Sequence, residues 1–201
     1  MNDPSPRRFD YPLSLALGGE PVLVVGGDHE AVDKAQRLHR AGAVVTIVAE
    51  HPSAALLGSG LAFVQRAFSI EDADGQRVVV VAPDARAHAP LLWAERRARG
   101  YLLSTIDDPP FCDFASPAFV DVGDVKIALS SGGRAPVVLR RLREDLSAAL
   151  VTPAMERFVA RLGAMRDEPP AETRIERVKA AVQGFRLDIR VRFPDWFNEE
   201  G

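Results

Sequence analysis

Apolar residues along this chain fall into two rhythms, and the switches between them outline a fold. Pro21–Val25 is a short unbroken apolar run that ends at Gly26-Gly27, and the next apolar positions, Ala31, Ala35, Leu38 and Ala41, recur at helical spacing. The pattern predicts strand, glycine turn, helix. Gly42 stands where a C-terminal cap belongs, and Val44–Ala49 is β-branched and nearly all apolar, as a strand buried on both faces requires. The alternation continues with a short strand at 61–64, a strong one at 77–82, a helix over 85–99 and another strand at 101–105. Strands that alternate with helices pair in parallel, so a Rossmann-type α/β sheet is expected.

After Asp107-Asp108-Pro109-Pro110 the rhythm changes. Ala118–Val122 and Val125–Ser130, separated by Gly123-Asp124, read as a hairpin. From Pro136 the chain reads as helix, because Leu139, Leu142, Leu146 and Leu150 line one face while Arg140, Arg141, Arg143, Glu144 and Asp145 take the others. Two further helices are expected at 153–165 and 173–185, divided by the Asp167–Pro170 breaker, before a tail with Phe193, Trp196 and Phe197. The resulting division is a Rossmann-type domain over 1–115, a β segment with a substrate-facing helix over 116–150, and a C-terminal helical dimerisation region over 151–201.

Composition narrows the partners. With 25 basic and 28 acidic residues the net charge is −3, too small a field to attract nucleic acid or an anionic membrane. No run approaches the ~18 apolar residues of a membrane span, and Met1–Asp10 lacks the apolar stretch of a secretion signal. The single cysteine, Cys112, cannot close an internal disulfide, which fits a cytoplasmic protein. His29, His39, His51 and His88 show no metal-ligand spacing.

Three segments carry candidate chemistry. Val25-Gly26-Gly27-Asp28-His29-Glu30-Ala31 departs from the dinucleotide fingerprint, in which glycines let the backbone approach a diphosphate at the N-terminus of a helix. Gly26, Gly27 and Ala31 suit NAD, with His29 and Glu30 opening the helix. Asp28 has two readings, a carboxylate opposing the diphosphate or an N-cap that satisfies the same N–H groups. Glu50, beside His51 at the end of the second strand, stands where an acidic residue binds ribose hydroxyls, which favours NAD over NADP. Asp107, at the carboxyl end of the fifth predicted strand, can serve as a general base, although an ordinary Asp-Asp-Pro turn explains it too. Ser130-Ser131-Gly132-Gly133-Arg134, leading into a helix with Pro136 at its start, exposes backbone N–H groups and a guanidinium to an anionic ligand.

These segments together resemble the precorrin-2 dehydrogenase / sirohydrochlorin ferrochelatase family, the N-terminal module of siroheme synthases. The resemblance runs from Tyr11 to about Leu150. It rests on Tyr11-Pro12-Leu13, Val22–Gly27, Ala41–Ala43, Asp107-Asp108-Pro109, Cys112-Asp113-Phe114, Ser116-Pro117-Ala118, Ser130–Gly133 and Leu139–Glu144. It implies NAD-dependent oxidation of precorrin-2 to sirohydrochlorin and, in bifunctional members, insertion of Fe²⁺ to give siroheme. Asp107 would be the catalytic base, the 130–134 loop with Arg140 and Arg141 would face the tetrapyrrole, and the C-terminal helices would make a homodimer. The chain departs from the family at Asp28 in place of a third glycine, at Asp33 in place of an arginine, at Ser104 in place of an asparagine, and at Ala82-Pro83-Asp84 in place of Ala-Thr-Asp. All four lie near the dinucleotide site. A divergent relative that has lost NAD and acts as a chelatase or tetrapyrrole-binding protein is the alternative.

Overall fold

The computed structural model describes Phe9, residues 11–132 and residues 134–198. Five parallel strands form its sheet: β1 (Pro21–Val25), β2 (Val44–Val48), β3 (Phe63–Val64), β4 (Val78–Val81) and β5 (Leu102–Thr105), in the order β3-β2-β1-β4-β5. β1 is central, with Val25 beside Val48 on one side and Val81 on the other, so the glycine turn after it opens at the middle of the sheet's carboxyl edge. Reversal of strand order about β1 makes this the crevice where open α/β sheets bind ligands.

Alternation along the strands builds two cores. Val22, Val24, Val78 and Val80 face one way and pack with Ala31, Val32 and Ala35 of helix α1 (His29–Arg40). The two alanines let α1 lie close to the sheet. Leu23, Val25, Val79 and Val81 face the other way and meet Leu92 of helix α3 (Ala89–Arg99), while α2 (Ala54–Leu57) is a single turn capped by Ser53. Tyr101 is buried in this second core and its phenol donates to Leu92 O at 2.7 Å.

Burial pushes the Tyr101 phenol up to about 12, against about 10 in the unfolded chain. A raised folded pKa means stability is fully present below pH ~10 and is lost as the pH rises toward the folded value. Tyr101→Phe should lose about 1 kcal/mol at neutral pH by removing the buried hydrogen bond from the phenol to the Leu92 carbonyl. Its urea midpoint should then converge on that of the parent between pH ~10 and the folded value, and a gap independent of pH would refute the assignment.

Besides shifts of a residue or two at strand and helix ends, three departures from expectation have a local cause. The strand foreseen at 61–64 is confined to Phe63–Val64, because Gly60 turns with φ 73° just before it and Leu61 packs against the core as loop. The helix foreseen over 85–99 is a 3-10 turn at Pro83–His88 followed by α3, since Pro90 has no N–H to continue an α-helical ladder back to Arg86. Helix α6 spans Arg174–Ala181 and stops short of Phe185, with Gly184 at φ 86° turning the chain out.

The chain divides into two compact units, Met1–Ala118 with Ala128–Arg141, and Phe119–Ile127 with Leu142–Gly201. In the second, β6 (Ala118–Val122) pairs with β7 (Val125–Leu129) across Gly123-Asp124, a connection short enough only for an antiparallel hairpin. Val120 and Val122 pack with Leu146 and Leu150 of α4 (Pro136–Leu150) and Met155 of α5 (Pro153–Asp167). A last turn, α7, covers Asp195–Asn198. No helix among the described residues is long and apolar enough to cross a membrane.

Candidate functional site

The turn after β1 has no room for side chains. Gly26 has φ 114°, and a Cβ there would lie 2.7 Å from Ala82 Cβ and closer still to Asp84 Oδ1. A Cβ on Gly27 would come within 2.9 Å of Ala49 Cβ and 3.1 Å of Pro52 Cα. Both glycines are required by close approach of the neighbouring strand ends. Asp28 takes the capping role: its Oδ1 accepts from Glu30 N and Ala31 N, each at 2.9 Å. Its Oδ2 accepts from Asp84 N at 3.4 Å, and Asp84 Oδ2 in turn accepts from Gly27 N at 2.9 Å. Two carboxylates thus hold the N–H groups that an incoming diphosphate would use.

Beside this turn lies a cleft of about 130 Å³ floored by Val25, Val48 and Ala85 and rimmed by Gly26, Glu50, His51, Phe68, Asp84 and His88. The Phe68 and His88 rings tilt against each other at 5.0 Å between centroids. Apolar floor, aromatic wall and the exposed Glu50 carboxylate suit an adenosine, with Glu50 accepting from ribose hydroxyls. The residues therefore fit the adenosine half of NAD. Its diphosphate reaches the α1 N–H groups only after the Asp28 and Asp84 carboxylates turn away. His29 is exposed on the first turn of α1, and Glu30 contributes its backbone N–H to the Asp28 cap.

Asp107 is the one non-glycine residue among those described with positive φ, 55°, and its side chain is exposed at the carboxyl edge of the sheet. The neighbouring chain holds it there. Arg86 Nη2 donates to Ile106 O at 3.1 Å and its Nε lies 3.7 Å from Asp108 Oδ2. Behind the turn, the buried Cys112 sulfur accepts from Thr105 N at 3.1 Å and donates toward Thr105 O, while Thr105 Oγ1 donates to Phe111 O at 3.0 Å. Burial pushes the Cys112 thiol up, so it serves as a neutral hydrogen-bonding group. The open edge of β5 is closed by Asp113, whose carboxylate accepts from Leu103 N and from Arg96 Nε, both at 3.1 Å, with Arg96 lying over the Trp93 ring.

Two residues near Asp107 were not singled out in the sequence. Lys34 is half-buried on α1, and burial, then the Arg37 charge, lower its ammonium pKa, while Asp33, Glu30 and Asp107 pull the other way. Its signal was present: Lys34 lies three and four residues from Ala31 and Leu38, a cation within the apolar stripe of α1. Arg86 carried no such signal, because its partners, Ile106 and Asp108, come from the turn that follows β5.

In the 130–134 loop, Ser130 Oγ accepts from Gly132 N at 3.3 Å and Ser131 Oγ accepts from Ala135 N at 3.0 Å. Arg134 and Arg140 are exposed, as is Arg141, and Gly133 lies outside the described residues. The structure brings Gly26, Gly27, Asp28, Glu30, Glu50, His51 and Asp84 to one crevice. No hydrogen bond or ion pair among the described residues joins Ser130, Ser131, Gly132 or Arg134 to it.

Residues 13–118 match a family model described as "Putative NAD(P)-binding". The siroheme synthase of Actinobacillus pleuropneumoniae serotype 3 is 38% identical over 160 residues, covering 78% of this chain and 31% of its own length. Siroheme synthase 1 of Cronobacter sakazakii is 36% identical over 160 residues, covering 78% of this chain and 34% of its own. The chain thus spans about a third of the length of these curated relatives. Among solved structures, SirC, a precorrin-2 dehydrogenase, superposes with a TM-score of 0.69 at 23% identity, over 86% of this chain and 89% of the other, and shares the fold.

Proposed function

Because the chain belongs to the NAD(P)-binding family whose model spans residues 13–118, we propose that it oxidises precorrin-2 to sirohydrochlorin with NAD⁺, a step of siroheme biosynthesis. The observation that carries this reading is Asp107, an exposed carboxylate held in left-handed backbone at the carboxyl edge of the sheet. Oxidation of a reduced tetrapyrrole removes a hydride from one carbon and a proton from its neighbour. When bound, NAD⁺ accepts the hydride. Asp107 takes the proton, and the turn built by Arg86, Thr105 and Cys112 keeps its carboxylate aimed outward. Glu50 and His51 would hold the adenosine side and the Gly26-Gly27 turn the diphosphate.

The substrate is a polycarboxylate, and Ser130, Ser131, Gly132, Gly133, Arg134, Arg140 and Arg141 are the groups we assign to its acid side chains. Arg134→Ala should raise KM for the tetrapyrrole about tenfold, the loss of one charge-assisted hydrogen bond, and leave NAD⁺ affinity alone. Parallel titrations of the two ligands check this, and a shift in NAD⁺ affinity instead would move Arg134 to the cofactor side. The C-terminal helices support a homodimer, and the lone Cys112 supports a cytoplasmic location.

The test is NADH formation when the purified protein meets precorrin-2 and NAD⁺. A second reading is favoured by the occupied N–H donors at Gly27, Glu30 and Ala31: a relative without redox activity that inserts Fe²⁺ into sirohydrochlorin, or binds the tetrapyrrole. Siroheme formed from sirohydrochlorin and Fe²⁺, with no NADH from precorrin-2, selects it.

A further inference from the structure

The segment Phe185-Arg186-Leu187-Asp188-Ile189-Arg190-Val191-Arg192-Phe193 alternates apolar and charged residues without a break. This period of two is the mark of a strand with one buried and one solvated face. In the structure, however, the segment is neither strand nor helix. Leu187, Ile189 and Val191 are 46%, 59% and 69% exposed. Among the described residues, no backbone hydrogen bond runs to or from residues 186–192. Ring contacts hold its two ends, Phe185 stacking on Phe158 of α5 at 5.2 Å between centroids and Phe193 lying against Phe197 of α7 at 5.0 Å. The segment has the side-chain pattern of a strand, a row of open backbone donors and acceptors, and no sheet.

We propose that residues 185–193 pair antiparallel with the same segment of a second copy of this chain, about a two-fold axis through Ile189. The pattern is close to a palindrome, and that selects the partner. In this register Ile189 faces its own copy, Leu187 faces Val191, and Phe185 faces Phe193. Asp188 faces Arg190 on both sides of the axis, giving two opposite-charge cross-strand pairs. The cost is Arg186 opposite Arg192 at the two ends, where the strands are most open to solvent and screening is strongest. An in-register parallel pair would set every charge beside its like. A slip by one residue would place apolar side chains opposite charged ones. Each copy offers the same surface to the other, the closed isologous arrangement of a dimer, and an edge that would otherwise recruit any exposed strand is sealed.

This rests on the homodimer reading, and the experiment separates the two. Directly opposed residues of an antiparallel pair have Cα atoms about 4.5–5.5 Å apart, within the span of a disulfide. Ile189→Cys should therefore yield a disulfide-linked dimer under mild oxidation, with the wild type, whose Cys112 is buried, as the uncrosslinked control. Leu187→Cys alone should not crosslink, its copy lying about 13 Å away along the ribbon. Mixed with Val191→Cys it should. Light scattering on Ile189→Pro should show a monomer, since proline removes a ladder donor and disrupts the strand. If Ile189→Pro stays dimeric and Ile189→Cys stays reduced, the strand pairing is wrong and the dimer forms elsewhere. If the wild type is itself monomeric at micromolar concentration, both readings fall.

Discussion

Asp28→Gly is expected to tighten NAD⁺ binding about ten- to a hundredfold. The wild-type carboxylate opposes the diphosphate twice, by occupying Glu30 N and Ala31 N and by placing a negative charge at the positive end of α1. Two unit charges ~4 Å apart interact by about 4 kcal/mol at an effective dielectric constant of ~20, an upper bound that salt and side-chain movement reduce. A residual of about 1.4–2.8 kcal/mol gives the stated range. The cost to folding is small, because glycine replaces an aspartate cap at a few tenths of a kcal/mol. Asp28→Asn separates the two effects, as it keeps a capping oxygen and removes the charge. Calorimetric titration with NAD⁺ on the three proteins decides. Equal affinities would mean that Asp28 turns aside freely and that the crevice accepts the cofactor as it stands.

Replacement of Asp107 should separate activity from stability in the opposite sense. Asp107→Ala or Asp107→Gly is expected to lower precorrin-2 oxidation about 10²–10⁴-fold, the usual contribution of a positioned general base, with NAD⁺ affinity unchanged. Left-handed backbone costs a non-glycine residue about 1–2 kcal/mol, less for aspartate, so Asp107→Gly should unfold at the same denaturant concentration as the parent or slightly higher. Aspartate adopts φ near 55° more readily than most residues, so Asp107→Gly removes the carboxylate while leaving the turn in its native conformation. Undiminished turnover in Asp107→Gly would return this turn to an ordinary structural role. Loss of turnover together with loss of folding would show that Asp107 acts through the packing of its neighbours.

The pairing between Asp28 and Asp84 explains why the dinucleotide motif alone was ambiguous. Locally, Asp28 serves equally well as a cap or as a misplaced charge, and both readings survive inspection of residues 24–31. The structure adds Asp84, which arrives from the far side of β1 because β4 is its hydrogen-bonded neighbour. Once Asp84 accepts from Gly27 N, the capping interaction becomes one half of a reciprocal arrangement that fills the helix N-terminus.

What the chain's own order of residues determined is local: the buried run of β1, the glycine turn, the valines of β2 and β4, the amphipathic face of α4, and the carboxylate at the end of β5. Each follows from side-chain period or backbone freedom within a few residues, and the structure reproduces β1 to the residue and begins α4 at Pro136. Even the shortening of α3 had its cause in the sequence, at Pro90. Tertiary structure alone decided which groups meet. Asp84 reaches Gly27 across 57 residues, Arg86 reaches Ile106 across 20, and Lys34 enters the field of Asp107 from another element altogether. Period and propensity describe one element at a time, whereas these contacts depend on the order in which the strands are laid side by side.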